Sequence, residues 1–221
     1  MVAQPISHPQ PDLTVVPGGE QRVVMSNISW GLYEQLLAED PARRVPRMAF
    51  SNGTLEFMTP SRLHDKIFFV TSQIIMTLAN AWQVDYLPIG PMTLRQHSLA
   101  VGCEPDACFF IQHVAEANRE MSPFPEGHPP DLVIEIEVSR TLVARLPILA
   151  AMGVPEVWRA TADAIDILVL DGGSYRAVEA SATLPLLTTA QLNAFAMLRP
   201  ELSRPDWCAA MHKWAISLPE D

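Results

Sequence analysis

Acidic residues stand inside two of the most apolar stretches of this 221-residue chain. In the run PPDLVIEIEVSR, residues 129–140, side chains of a predicted strand alternate between two faces, so Glu135 and Glu137 share one face. Two residues of strand rise separate them by roughly 7 Å, close enough for each to feel the charge of the other. This pair needs a compensating positive charge, and carboxylate oxygens are good ligands for a hard divalent cation.

A further acid, Asp106, precedes the apolar run ACFFI in the segment EPD. If the two runs pair as neighbouring strands about 4.8 Å apart, Asp106 can face the same cleft as Glu135. Mg²⁺ and Mn²⁺ take oxygen ligands, usually one or two carboxylates with water and substrate phosphate. The sequence therefore predicts a metal site at Asp106, Glu135 and Glu137. The alternative is solvated acids at strand ends, which is harder to arrange for Glu135 because apolar residues flank it on both sides.

Three more residues are candidates for the same site. Glu56 lies on the second strand of a predicted hairpin and is either a fourth metal ligand or a solvated or salt-bridged strand residue. His64 falls in the first turn of the longest predicted helix, where the helix N-terminus favours anionic ligands. It is a candidate substrate or phosphate ligand, with a structural role as the alternative. Arg95 is a candidate phosphate contact or an ion-pair partner.

Turn residues and apolar periodicity predict the elements that position these side chains. Asn52 and Gly53 between two apolar runs predict a tight hairpin, and Asp171 with Gly172 predicts a second one. Ser29 and Ser61 are predicted to cap a short amphipathic helix and the longest helix. Further helices are expected over 141–153, 188–198 and 207–216, with a strand over 154–159 between the first two. Residues 1–20 are predicted to be a flexible arm, and residues 21–221 a single domain with a C-terminal helical extension.

Composition limits the function. The chain is 48% hydrophobic and 18% charged, which is typical of a globular domain, and no apolar run reaches the length of a membrane span. No secretory signal is recognisable at the start, so a cytoplasmic location is expected. The net charge of −10 argues against a broad basic surface for nucleic acid, so any DNA contact must be local. The three cysteines match neither a disulfide framework nor zinc-finger spacing.

The order of these motifs resembles the Uma-type restriction endonuclease family of the PD-(D/E)XK nuclease superfamily. The resemblance runs from about Ser29 to about Leu198 and rests on LEFMTPSRLHD, EPD, PDLVIEIE and RLPILAAMGVPEVWR. It implies the α/β (α+β) class, with a restriction-endonuclease-like mixed β-sheet flanked by helices. It also implies Mg²⁺, or Mn²⁺, near Asp106 and Glu135, and a metal-dependent endonuclease that hydrolyses DNA phosphodiester bonds.

One position departs from the superfamily pattern. A lysine usually follows the second acid by two residues and orients the attacking water, and Glu137 stands there. The resemblance makes Glu137 an additional metal ligand and leaves Arg145 or Lys66 to supply the missing positive charge. Arginine stays protonated, so it can bind phosphate and stabilise the transition state but cannot act as a base.

Two alternatives to the nuclease remain open at this point. One is a catalytically inactive module of the same fold that acts in binding or protein–protein interaction, and the other is hydrolysis of a different phosphorylated substrate. A homodimer is expected because two-fold symmetry is the commonest oligomer symmetry.

Overall fold

Two sheets form the framework of the computed structural model, which describes the backbone at residues 12–15 and all of residues 19–40, 45–118 and 128–218. In these segments the first sheet has the spatial order β1-β2-β4-β3-β7-β6, and every pairing in it is antiparallel. Its strands are β1 (Asp12–Val15), β2 (Gln21–Met25), β3 (Arg47–Ser51), β4 (Thr54–Thr59), β6 (Leu94–Gln96) and β7 (Val101–Cys103).

The second sheet has the order β12-β11-β10-β9-β8-β5 and is mixed, because β9 and β10 run parallel. Its strands are β5 (Leu87–Ile89), β8 (Ala107–Phe110), β9 (Leu132–Ile136), β10 (Glu156–Ala160), β11 (Ile165–Asp171) and β12 (Ser174–Ala177). The helices are α1 (Trp30–Glu39), α2 (Arg62–Ala81), α3 (Val114–Ala117), α4 (Arg145–Ala151), α5 (Thr189–Leu198) and α6 (Arg204–Ala215), with a 3₁₀ turn at His97–Leu99. None of the helices in the described segments has both the length and the apolar character that a bilayer crossing requires.

The second sheet is covered on both faces, which explains why its strands read as nearly continuous apolar runs. Ile134 of β9 and Trp158 of β10 point to one face, where α2, α5 and α6 pack. Val133 and Val157 point to the other face, where they meet α4 and residues of the first sheet such as Ala49. The mixed sheet with flanking helices predicted from the sequence is confirmed, although the sequence did not separate the strands into two sheets.

Local signals place most elements correctly. The side chains of Ser29 and Ser61 accept hydrogen bonds from the backbone of the first turns of α1 and α2, as expected of N-caps. Asn52 and Gly53 both have positive φ in the β3–β4 hairpin. The helix expected over 141–153 begins only at Arg145, because residues 141 and 142 hydrogen-bond to a glutamate of β4.

Two other stretches differ from the sequence prediction. Asp12–Val15 lies in the segment predicted to be a flexible arm, yet its backbone pairs with β2 as an edge strand. The polar composition of residues 114–128, with Pro123, Pro125 and Gly127, predicts a surface loop, yet Val114–Ala117 forms the single turn α3. Residues 119–127 of that loop lie outside the described residues.

Asp131 fixes the start of β9 against the end of β8 and so helps to set the alignment of the two strands. Its Oδ2 accepts the backbone N–H groups of Ile111, Gln112 and His113, and its Oδ1 lies 2.5 Å from His113 Nδ1. Burial favours the neutral form of Asp131, but these hydrogen bonds outweigh it and lower the pKa of the carboxyl. The hydrogen bond to Asp131, with the charge of that carboxylate, raises the pKa of His113.

The substitution His113→Gln is expected to destabilise the protein most at mildly acidic pH. Because the pKa of His113 is raised by folding, its contribution is fully present below the unfolded value and is lost as pH rises through the folded value. The imidazole is half-exposed, so the loss should be no more than about 1 kcal/mol. Urea unfolding of both proteins from pH 5.5 to 9 measures it. In an Asp131→Asn background the effect should vanish, and a difference that grows with rising pH contradicts the assignment.

Candidate active site

Asp106 and Glu135 lie on neighbouring strands beside the same buried arginine, Arg47. Ala107 lies opposite Ile134 in the antiparallel pair of β8 and β9, and the Asp106 N–H reaches the carbonyl of Ile134, the residue before Glu135. Val133, two residues before Glu135 and on the same face of β9, packs toward α4 and the first sheet. The structure therefore brings these two predicted residues together from adjacent strands.

Asp106 is tied into the strand pair by its own side chain. Its N–H donates to Ile134 O at 3.2 Å, and its Oδ2 accepts the Ile136 N–H at 2.6 Å. The carboxylate thus replaces a backbone acceptor where β8 begins, and the residue is fully buried. Its orientation is set by β9 itself, the strand that carries Glu135.

The other oxygen of Asp106 faces a guanidinium from the first sheet. Arg47, the first residue of β3, forms an ion pair with Asp106 Oδ1 through Nη1. His64 Nε2 lies 2.9 Å from the same oxygen and 3.4 Å from Arg47 Nη1. Burial, reinforced by the charges of Arg47 and Arg145, lowers the pKa of His64 to about 3, so this imidazole is neutral at pH 7.

Glu104 holds β3 where Arg47 can reach Asp106. Its N–H donates to Met48 O at 3.0 Å, and its Oε2 accepts the Met48 N–H at 2.7 Å. Its Oε1 accepts a hydrogen bond from Thr93 at 3.1 Å. The segment EPD is therefore attached to β3 by both residues that flank Pro105. Glu104 hydrogen-bonds to the Met48 backbone, and Asp106 forms the ion pair with Arg47.

Glu135 has its own guanidinium. Arg145, the first residue of α4, donates from Nη1 to Glu135 Oε2 at 3.0 Å. No residue in the described segments donates a hydrogen bond to Glu135 Oε1, which is buried. Burial raises the pKa of Glu135, and the adjacent Arg145 charge opposes that rise. The expected role of Arg145 as the nearby cation is consistent with this position.

A second buried network borders the pair and involves Glu56. Arg22 donates from Nη1 to Glu56 at 2.5 Å and from Nη2 to Glu20 at 2.7 Å. Thr141 Oγ1 and the Leu142 N–H also donate to the Glu56 carboxylate. Both oxygens of Glu56 are therefore occupied, and the network ties the segment between β9 and α4 to the first sheet. This position fits the salt-bridged alternative for Glu56.

The remaining predicted residues lie apart from the buried pair. Glu137 follows the end of β9 and is exposed. Lys66 is exposed on α2, and Arg95 lies 3.9 Å from Glu34, which fits the ion-pair alternative for Arg95. Among the described residues, no three His, Cys, Asp or Glu side chains are arranged to hold a metal ion. The structure brings Asp106 and Glu135 together, whereas Arg22 holds Glu56 and Glu137 is exposed beyond β9, and the metal roles of Glu56 and Glu137 stay predictions.

Sequence reasoning missed Arg47, Arg22 and Glu20. Each is a charged residue in or beside an apolar strand, and all three are buried. An arginine at the start of an apolar hairpin strand was the available signal for Arg47, since such a side chain requires a buried acid as a partner. Its partner, however, is 59 residues away in sequence, and only the contact between the two sheets reveals it.

The donor set fits a divalent cation at two carboxylates. Hard cations such as Mg²⁺ commonly use one or two carboxylates, with other ligands from water and substrate. Three buried carboxylate oxygens make no hydrogen bond in the described segments: Glu20 Oε1, Glu135 Oε1 and Asp106 Oδ1, of which Asp106 Oδ1 is ion-paired with Arg47. The buried carboxylates of this region are Glu20, Glu56, Glu104, Asp106 and Glu135, and the buried guanidiniums are Arg22, Arg47 and Arg145. When all are ionised, two negative charges are in excess, which is the charge that one divalent cation balances.

The fold and this pair define a mixed α+β domain with an aspartate and a glutamate on adjacent strands beside buried arginines. The chain belongs to the family described as "Putative restriction endonuclease" (Uma2), whose model matches residues 30–202. It is also similar to a solved structure described as a "putative nuclease belonging to DUF820" from Anabaena variabilis ATCC 29413. The two chains are 15% identical, with 72% of this chain and 98% of that chain covered and a TM-score of 0.48. No curated protein matches the sequence.

Replacing Glu56 by glutamine is expected to lower the free energy of unfolding by about 3–5 kcal/mol, because it removes one partner of a buried ion pair. The side-chain amide would also face the donors of Arg22 and Leu142. Chemical denaturation at pH 7 measures the loss. The matched control is Glu179→Gln, which changes an exposed acid and should change stability by less than about 0.5 kcal/mol. A Glu56→Gln variant that is as stable as the unmodified protein but no longer binds Mn²⁺ would indicate that Glu56 is a metal ligand.

Proposed function

We propose that the protein is a metal-dependent endonuclease that hydrolyses DNA phosphodiester bonds, with Asp106 and Glu135 as the ligands of Mg²⁺ or Mn²⁺. One observation carries the proposal: two buried carboxylates come from neighbouring strands, and each is paired with a buried arginine. That combination offers oxygens to a cation and guanidinium groups to a phosphate. Membership of the restriction endonuclease family supports the same chemistry.

The arginines have unused hydrogen-bonding capacity that suits a phosphate. Arg145 Nε and Nη2 and Arg47 Nε are buried and find no acceptor among the described residues. A guanidinium binds phosphate oxygens through paired N–H groups and stays charged throughout the reaction. In this proposal Arg145 stabilises the negative charge that develops on the phosphoryl oxygens and supplies the positive charge that Glu137 lacks.

The cation, when bound, supplies the positive charge that polarises the phosphate and acidifies a water molecule. The protein positions its ligands: Asp106 is oriented by the Ile136 N–H and faces the neutral His64 imidazole. Glu137, the exposed carboxylate two residues after Glu135, is the proposed acceptor of the proton of the attacking water and returns it to solvent. In this proposal Asp106, Glu135 and Arg145, which bind metal and phosphate, thus remain charged while Glu137 exchanges the proton.

DNA contacts in this proposal are local. The net charge of −10 provides no broad attraction for a polyanion, so the arginines near Asp106 and Glu135 must supply the contacts. We propose DNA as the substrate and a homodimer as the working assembly, since paired sites suit the two strands of a duplex.

The ion pairs favour a second candidate function. Asp106 is fully buried and Glu135 is only 3% exposed, and each already has a guanidinium partner. A site neutralised in this way is stable without a metal ion. It suits a nuclease-fold module that acts in binding or protein–protein interaction without cleavage.

The substitution Glu135→Gln is expected to reduce Mn²⁺-dependent DNA cleavage by at least about a hundredfold, the scale of effect when one charge-stabilising group leaves a preorganised site. Supercoiled plasmid and single-stranded DNA are incubated with Mg²⁺ or Mn²⁺, and nicked or shortened products are quantified. The matched control is Glu179→Gln, which changes an exposed acid and should cleave like the unmodified protein.

Three outcomes separate the functions. Cleavage that depends on Glu135 and on the cation supports the nuclease. Cleavage that survives Glu135→Gln unchanged contradicts the assigned site. No cleavage by the unmodified protein, together with no Mn²⁺ binding in calorimetry, supports the non-catalytic module. RNA and nucleotides in the same assay test the third alternative, a different phosphorylated substrate.

A further inference from the structure

Arg47 occupies the side of Asp106 that a cation must approach. Asp106 Oδ2 is committed to the Ile136 N–H, so Oδ1 is the oxygen open to another partner. Arg47 Nη1 is paired with that oxygen, and His64 Nε2 lies 2.9 Å from it. All three side chains are buried. A divalent cation that binds Asp106 therefore meets a guanidinium already in contact with the same atom.

The position of Arg47 is built into the fold. β3 pairs with β4 on one side, where Arg47 lies opposite Met58, and with β7 on the other. The next residue, Met48, is held by Glu104: the Glu104 N–H donates to Met48 O, and the Met48 N–H donates to the Glu104 carboxylate. The guanidinium therefore starts from a fixed backbone point beside Asp106.

The positive charge of Arg47 affects both the stability of the Asp106 carboxylate and the binding of a cation there. An isolated buried carboxylate is strongly unfavourable, so Arg47 stabilises Asp106 in the metal-free protein. Burial lowers the pKa of Arg47 and the charge of Arg145 lowers it further, whereas Glu135 and Glu104 raise it. Arg47 is thus within electrostatic range of Glu135 as well as Asp106. A divalent cation between those two acids would be repelled by the guanidinium at short range.

We propose that Arg47 is an internal counterion that competes with the divalent cation for Asp106. This inference rests on the proposed function, because it takes Asp106 as a metal ligand. Arg47 keeps the carboxylate pair neutralised when no metal is bound and weakens metal affinity. When a cation takes Asp106, the freed Nη1 joins the unpaired Nε to bind a phosphate oxygen of the substrate.

The test is Mn²⁺ binding by isothermal calorimetry and by the electron paramagnetic resonance signal of free Mn²⁺. The substitution Arg47→Gln is expected to tighten Mn²⁺ binding by about tenfold or more, the lower range of what a neighbouring charge does to proton affinity at a carboxylate. Its melting temperature without metal should fall, and the rise on adding Mn²⁺ should exceed that of the unmodified protein. The double variant Arg47→Gln with Asp106→Asn should lose the gain in affinity.

Two further variants keep the test decisive. Arg176→Gln removes an exposed arginine paired with Asp171 and should leave Mn²⁺ affinity unchanged. If Arg47→Gln does not fold, Arg47→Lys replaces it: a single ammonium holds the carboxylate through fewer hydrogen bonds, so Mn²⁺ should again bind more tightly than in the unmodified protein.

The outcomes distinguish this inference from the proposed function. If the unmodified protein binds Mn²⁺ and the Arg47 variant binds it with equal or weaker affinity, the competition is overturned and the nuclease proposal stands. Tight binding by the variant alone supports the competition and shows that the unmodified protein is held metal-free. Absence of binding in both proteins overturns both proposals.

Discussion

The ion pair between Asp106 and Arg47 is the interaction on which the rest of the structure depends. It joins the two sheets at a point where both side chains are buried, so each charge stabilises the other. The surrounding elements are arranged around this requirement. Glu104 fixes β3, the Ile136 N–H fixes the carboxylate, and the first turn of α2 brings the neutral His64 alongside.

Glu135 is likewise neutralised by a buried arginine. Its partner Arg145 begins α4, immediately after the segment that Glu56 and Glu20 hold to the first sheet. A guanidinium therefore stands beside the second acid, although the position two residues after that acid carries Glu137. Arginine retains the charge of the missing lysine and gives up its capacity to lose a proton. In the proposed reaction this restricts Arg145 to phosphate binding and charge stabilisation, and leaves proton transfer to carboxylates.

The sequence was sufficient for features that depend on local chemistry. Asn52 with Gly53, the serine caps and the alternation in residues 132–136 follow from backbone preferences that act within a few residues. The meeting of Asp106 with Glu135 was predictable because both acids border apolar runs that pair. Arg47 and Glu56 were not, because their partners lie in distant segments brought together by the contact between the sheets. The sequence pattern around a buried acid is the same whether the partner of that acid is a metal ion or an arginine.

The most direct test of the central claim is the anomalous difference density of crystals soaked in Mn²⁺. The account predicts a peak coordinated by oxygens of both Asp106 and Glu135, with the Arg47 guanidinium displaced from Asp106. A well-ordered crystal with no peak between these residues, and with Arg47 and Arg145 still paired to their carboxylates at saturating Mn²⁺, would contradict it.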